Sequence, residues 1–166
     1  MTAFTVWKFD DPGGAAHAAS ALREAQRDRL VKVLDYAVVS WPVGAERPST
    51  KHRHGVSRDA GWGAFWGVVV GSLFLVPVVG GVAGAAIGAI SKATEGVGIS
   101  REQLEAIRTQ ITEGTSALFA MTEQGDLDRL GERFRMRGST LVASNLTEAE
   151  RETLIETFGG KDLSAR

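Results

Sequence analysis

The histidines are the side chains of this chain best suited to hold a metal ion. The sequence has three, His17, His52 and His54, and it has no cysteine. His52 and His54 are two residues apart, a spacing that places both on one face of a β-strand. A zinc site needs a third ligand, which a carboxylate would have to supply. We expect residues 51–57 to form a polar edge strand instead, and we predict no metal and no cofactor.

Nucleophilic and acidic residues show no catalytic pattern. Ser40, Ser57, Ser72 and Ser139 lack the Gly-x-Ser-x-Gly context of a hydrolase nucleophile. The absence of cysteine excludes thiolate chemistry and a disulfide framework. The segment Pro12-Gly13-Gly14 is the nearest candidate for an anion site, and we interpret it as a proline-started helix. We therefore expect a protein that is not an enzyme, with a metal-binding or small-molecule enzyme as the third alternative.

The overall charge argues against a nucleic-acid partner. The chain has 19 basic and 20 acidic residues, so its formal net charge of −1 provides no global attraction for a polyanion. The predicted strand 116–122 contains one aromatic residue, Phe119, where an RNA-binding sheet would need several to stack on bases. We predict no binding to nucleic acid.

A run of 32 uncharged residues is the most informative feature of the sequence. It extends from residue 60 to residue 91, between Asp59 and Lys92, and eight of its positions are glycine. Six of these glycines form two triplets with a spacing of four residues, Gly63, Gly67 and Gly71, then Gly80, Gly84 and Gly88. This spacing puts each triplet on one helical face, where the lack of side chains lets another helix approach closely. The pattern predicts two glycine-zipper helices.

A turn between the two triplets is indicated by Pro77 and the pair Gly80-Gly81. Proline removes a helical hydrogen bond and disfavours helix in the preceding residue. The arms of the hairpin would cover 60–75 and 81–91, and they would measure about 24 Å and 16 Å at ~1.5 Å per residue. Since a bilayer core is roughly 30 Å thick, neither arm spans it comfortably. The apolar turn suits a re-entrant hairpin or a hairpin buried in a protein assembly.

The residues that flank the hairpin suggest a membrane interface. Arg58 precedes the uncharged run and Lys92 follows it, which keeps both ends on the cytoplasmic side. Trp62 and Trp66 lie in the first turns of the first arm, where indole rings meet lipid headgroups. The alternative for the tryptophans is packing against the rest of the chain, and for the whole segment it is a buried pair of core helices.

The remaining sequence predicts alternating strands and helices. Asp11 and Pro12 are typical of a helix start, and Ser100 with Gln103 forms a capping box. We predict strands at 3–9, 33–43, 51–57, 116–122 and 139–145, and helices at 13–30, 101–112, 125–135 and 147–158. Two β-α-β units, 3–43 and 116–145, sharing one sheet indicate an α+β fold of the ferredoxin-like type, with an antiparallel sheet and helices interrupted by the hairpin.

This organisation gives four segments. Residues 1–59 form the first half of the α+β domain, 60–91 the glycine-zipper hairpin, and 92–158 the second half of the domain. Residues 159–166 are predicted to be a tail, frayed over its last six positions.

The chain resembles a known bacterial family in several of these features. The order β-α-β, a double glycine-zipper hairpin that begins A-G-W-G-A-F-W-G at residue 60, and the strand S-A-L-F at 116–119 resemble the DUF1269 family of predicted membrane proteins. The resemblance covers about 4–158. It implies a cytoplasmic ferredoxin-like domain that carries a membrane-predicted hairpin, and it brings no established activity and no catalytic residues.

These observations together predict a membrane-associated homo-oligomer whose hairpins pack together, as a pore lining, a re-entrant structure or a membrane-shaping device. Its partners would be other copies of the chain and the lipid bilayer. The alternative is a soluble ring, shell or filament with the hairpins inside. The first residues lead directly into a strand and lack the features of a signal peptide. We therefore expect a cytoplasmic protein at the inner face of the cell membrane.

Overall fold

The computed structural model describes residues 2–54, 100–123, 138–145, 149 and 161–162. The described residues form six strands and two helices in an α+β arrangement. In chain order they are β1 (Thr2–Phe9), α1 (Gly14–Arg27), β2 (Lys32–Ser40), β3 (Ser49–His54), α2 (Arg101–Gln110), β4 (Ser116–Glu123), β5 (Ser139–Ser144) and β6 (Lys161–Asp162).

The strands form one sheet in the order β3-β2-β4-β1-β5-β6. Neighbouring strands among β1 to β5 are antiparallel, and the two-residue β6 pairs with β5 in parallel. β1 therefore lies at the centre of the sheet, although it comes first in the chain. Strands adjacent in space are mostly distant in sequence, so folding requires long-range pairing.

The hydrophobic core has two parts, one on each face of the sheet. The alternation of side chains along β1 directs Phe4 and Val6 to one face and Trp7 and Phe9 to the other. α1 packs against the face of Trp7 and Phe9 with a stripe of small and apolar residues, Ala15, Ala18, Ala19, Leu22 and Ala25. α2 packs against the opposite face through Leu104, Ile107 and the following Ile111. The result is a three-layer arrangement, helix, sheet and helix.

The positions of the five predicted strands and of α2 are confirmed to within a few residues. The capping box is present: the side chain of Ser100 accepts from the backbone N–H of Gln103 at 3.2 Å, and Gln103 accepts from the backbone N–H of Ser100 at 3.0 Å. β2 ends at Ser40, before the predicted 43, because Pro42 has no N–H to continue the ladder.

The start of α1 differs from the prediction. The N-cap is Gly13, two residues beyond Asp11. Asp11 accepts a hydrogen bond from the backbone N–H of Gly13 at 2.9 Å, and Ser116 of β4 accepts from the N–H of Ala15 at 3.0 Å. A side chain from a distant strand therefore satisfies the first turn, which local sequence could not reveal. The N–H groups of Gly13 and Ala15 already have partners, which removes the basis for an anion site there.

Part of the predicted frayed tail is ordered. Lys161 and Asp162 pair with Thr140 and Leu141 of β5, so the expectation of fraying is wrong at these two positions. The predicted helix 125–135 and the glycine-zipper hairpin 60–91 lie outside the described residues. Of the predicted helix 147–158, Ala149 is described, and its conformation is helical.

Candidate functional site

The described residues show where β3 ends, before residues 55–99, and where the described chain begins again at residue 100; we call residues 55–99 the insert. β3 ends at His54, which pairs with Asp35 of β2, and Asp35 pairs in turn with Met121 of β4. Met121 pairs with Phe4 of β1, whose N–H donates to Oδ1 of Asn145 at 2.8 Å, just after β5. A single row across the sheet therefore joins the end of β3 to the end of β5.

The start of α2 is attached at this same level of the sheet. Gln103, in the first turn of α2, donates from Nε2 to the carbonyl oxygen of Ser144 at 2.7 Å, beside Asn145. We call this end of the sheet, with His54, Ser144 and Asn145, the insert end. β3 and β5 are four strand spacings apart, about 19 Å at ~4.8 Å per spacing.

An ion pair and a buried carboxylate lie at the insert end. Lys32 lies opposite Glu123, and Nζ of Lys32 is 2.8 Å from Oε2 of Glu123. Both side chains are about half exposed, so the pair contributes less than about 1 kcal/mol to stability. Asp35 is fully buried in the next row, and its Oδ1 accepts from the backbone N–H of Tyr36 at 2.8 Å.

The histidines predicted as weak metal candidates lie in the edge strand. In the register of β3, His52 is opposite Ala37 and His54 is opposite Asp35. In the part of the chain that the structure describes, no three histidine, aspartate or glutamate side chains come close enough to hold a metal ion. β3 pairs with β2 alone within these residues, as predicted for an edge strand.

The other predicted site residues belong to the insert, residues 55–99. They are outside the described residues: the helix-packing glycines Gly63, Gly67, Gly71, Gly80, Gly84 and Gly88, the turn residues Pro77 and Gly81, and the interface residues Arg58, Trp62, Trp66 and Lys92. Neither of the two described helices is both long enough and apolar enough to cross a membrane.

A second candidate site is a groove on the α1 face of the sheet. It has a volume of about 170 Å³ and lies between α1 and the strands β2 and β3. Its lining residues are Ala16, Ala19, Arg23, Tyr36, Val38 and Lys51, and we call it the α1–β3 groove. Sequence analysis missed this site because its residues come from three elements and no local spacing connects them.

Comparison with known proteins identifies the family. Residues 60–159 match the family DUF1269, whose description is "protein of unknown function". The chain belongs to the DUF1269 family. The DUF1269 match begins at the uncharged run and continues through α2, β4 and β5, so it joins the insert to the second half of the sheet. The resemblance found in the sequence is confirmed, and the description of DUF1269 names no activity. Neither the curated proteins nor the solved structures gave a match.

Proposed function

We propose that this protein is a non-enzymatic, membrane-associated homo-oligomer at the cytoplasmic face of the cell membrane. Its hairpin, residues 60–91, packs through the two glycine triplets against the hairpins of other copies, in or on the bilayer. The observation that carries the proposal is the run of 32 uncharged residues with its two glycine triplets. Contiguous apolar surface of this extent aggregates when it is exposed to water, so it requires cover by lipid or by other copies.

The described domain supports this division of roles because both faces of its sheet are already covered. α1 buries one face and α2 the other, and among the described residues Val43 is the sole large hydrophobic side chain that is exposed. The faces therefore offer little apolar surface for self-association. Association through the insert is the remaining hydrophobic route.

The attachment of the insert also supports the proposal. The chain leaves β3 at His54 and is fixed again by Gln103 at Ser144, at the same end of the sheet. A hairpin attached in this way enters a membrane from one side and returns to that side without crossing the sheet. Basic residues at 58 and 92 favour the cytoplasmic side for both ends.

The sheet is the core of a ferredoxin-like domain in this proposal. If β1, β2, β4 and β5 are counted as first to fourth, their order in space is fourth, first, third, second, with every neighbour antiparallel. α1 connects the first strand to the second, as in the split β-α-β arrangement. α2 is an addition to that plan. It follows the insert in the chain. It covers the second face of the sheet, which stays open in α+β folds whose helices all lie on one side.

The alternative is a soluble ring, shell or filament whose interior contains the hairpins. The apolar turn at 74–79 is compatible with both environments. Trp62 and Trp66 favour lipid, because indole rings prefer the headgroup region at the start of a membrane-inserted helix.

Membrane fractionation of the full chain tests the proposal. We expect the protein to sediment with membranes, to resist extraction by high salt, and to form a discrete oligomer after solubilisation in detergent. Light scattering gives the mass of that oligomer. A large discrete species in the soluble fraction without detergent would establish the alternative instead. A stable monomer without detergent would overturn both.

A further inference from the structure

The α1–β3 groove has the geometry of a small binding site. Ala16 and Ala19 are on the α1 side, and Tyr36 and Val38 are on the β2 side. The short alanine side chains leave the gap that a larger residue would fill. We infer that this groove binds a phosphate group carried by a small ligand, through Arg23, Lys51 and the hydroxyl of Tyr36.

Charge in the groove favours an anion. Among the described residues that line it there are two cations, Arg23 and Lys51, and no carboxylate. The ion pairs within the described ranges join Lys8 to Asp10 and Lys32 to Glu123, so neither groove cation is neutralised there. Nη2 of Arg23 donates to Oγ of Ser20 at 2.8 Å, which restrains the guanidinium while most of its five N–H donors stay available.

The buried side chain of Tyr36 gives a separate reason to expect a ligand in the groove. It lines the groove and is 4% exposed, yet its hydroxyl has no hydrogen-bond partner among the residues that the structure describes. A buried hydroxyl without a partner is unfavourable, and natural proteins pair nearly all such groups with protein, water or ligand. An oxygen atom of a ligand in the groove would satisfy it.

The size and donor set of the groove favour phosphate over larger or less charged ligands. A volume of about 170 Å³ is below the range of roughly 300–1,000 Å³ for drug-sized ligands. It suits a phosphate group with a short substituent. A phosphate monoester carries about −1.5 to −2 charges at neutral pH and has three acceptor oxygens. Two cations and one hydroxyl donor complement that group, whereas a carboxylate has one charge and two oxygens.

The sequence offers a direct probe, because Tyr36 is the only tyrosine of the chain. Labelling the full chain with 3-fluorotyrosine gives a single fluorine resonance from the groove. The detergent-solubilised protein is titrated with inorganic phosphate, while sodium chloride keeps the ionic strength constant. We expect a saturable shift of the resonance. Arg23→Gln and Lys51→Gln should each weaken the apparent affinity by about tenfold or more, since each removes a charge-assisted hydrogen bond.

Matched controls separate binding from general charge. Arg27→Gln changes the same helix and Lys32→Gln changes the same sheet, and neither residue lines the groove, so both should bind phosphate like the unaltered chain. A linear shift without saturation, or equal affinity in Arg23→Gln, Lys51→Gln and the controls, would overturn the inference. Lys51 is exposed, so Lys51→Gln keeps the test decisive if Arg23→Gln fails to fold.

The contribution of the Tyr36 hydroxyl to phosphate binding is tested by thermal unfolding. Phosphate that binds the folded state raises Tm with concentration. Tyr36→Phe should fold normally, because its hydroxyl has no partner to lose among the described residues, and its phosphate-dependent rise in Tm should be smaller. An undiminished rise would exclude the hydroxyl from the site.

The source of the phosphate is distinguished by a second titration with vesicles that contain phosphatidic acid, whose headgroup is a phosphate monoester. A fluorine shift with inorganic phosphate or glycerol phosphate identifies a soluble ligand. A shift with the vesicles alone identifies a lipid headgroup. No shift with any of these probes would overturn the inference, whatever the outcome of membrane fractionation.

Discussion

Gln103 joins the first turn of α2 to the last residue of β5, because its Nε2 donates to the carbonyl oxygen of Ser144 at 2.7 Å. Its Oε1 at the same time accepts from the backbone N–H of Ser100 at 3.0 Å. One amide side chain thus completes the helix cap and holds the returning chain at the insert end of the sheet. Both polar atoms of the amide form hydrogen bonds, so truncation of Gln103 to alanine removes the helix cap and the bond to Ser144 together.

Gln103→Ala should lower the free energy of unfolding by about 1–2 kcal/mol, through loss of the cap and of the bond to Ser144. Gln103→Glu retains an acceptor for the N–H of Ser100 and loses the donor to Ser144. A negative charge also suits the first turn of a helix, so Gln103→Glu should lose less. Urea denaturation in detergent measures both. Unchanged stability in Gln103→Ala would show that the two bonds contribute nothing.

Ser116 connects β4 to the start of α1. Its Oγ donates to the carbonyl oxygen of Asp11 at 2.7 Å and accepts from the N–H of Ala15 at 3.0 Å, and the residue is fully buried. Ser116→Ala leaves both backbone groups without this partner and should cost about 1–3 kcal/mol of unfolding free energy. The control is Ser49→Ala, since Ser49 is exposed and its bond to Ser40 is 3.4 Å long. The control should change stability by less than about 0.5 kcal/mol, and an equal loss in both variants would contradict the prediction.

Gly14 begins α1 beside Phe9. A Cβ atom at this position would lie 2.6 Å from Cβ of Phe9 and 2.9 Å from Oδ2 of Asp11. Gly14→Ala should therefore lower Tm, because the steric cost of about 1–3 kcal/mol exceeds a gain in helix propensity of up to ~1 kcal/mol.

Gly13→Ala is the matched control. Its Cβ atom would approach Oδ1 of Asp11 at 3.3 Å and would touch no other residue within 4 Å beyond its immediate neighbours. It should lower Tm less than Gly14→Ala does. The prediction is wrong if the two variants melt at the same temperature.

Close approach of the glycine faces is tested with larger side chains. Gly67→Leu and Gly84→Leu should each disperse the oligomer, because leucine blocks the approach of two helix backbones. Val69→Leu and Ala86→Leu are the controls, two residues further along and about 200° around a helix. Light scattering in detergent gives the mass of each variant. Normal assembly of both glycine variants would refute the packing role.

Local signals in the sequence were sufficient to predict individual elements. The alternation in β1, with Phe4 and Trp7 on opposite faces, follows from the two-residue period of a strand. The capping box depends on Ser100 and Gln103, which are three residues apart. Interactions of this range are encoded in neighbouring positions, so they are visible before folding is considered.

Contacts between distant residues produced the differences. The sequence predicts too early a start for α1, because the hydrogen-bond partner of its first turn, Ser116, lies about a hundred residues further along the chain. The pairing of Lys161 and Asp162 with β5 likewise depends on which strand lies at that edge of the sheet. Neither follows from the composition of the segment concerned.

The amino-acid sequence was sufficient to predict the positions of β1 to β5, the capped helix α2, the family and the existence of the uncharged run. Long-range contacts were needed to show that α2 lies on the face opposite α1, that the start of α2 lies at the same end of the sheet as the end of β3, and that Arg23, Tyr36 and Lys51 line one groove. The physical reason is the range of the interactions. Periodicity and capping act over a few residues, whereas strand order, layer assignment and clefts depend on which distant surfaces can be buried together.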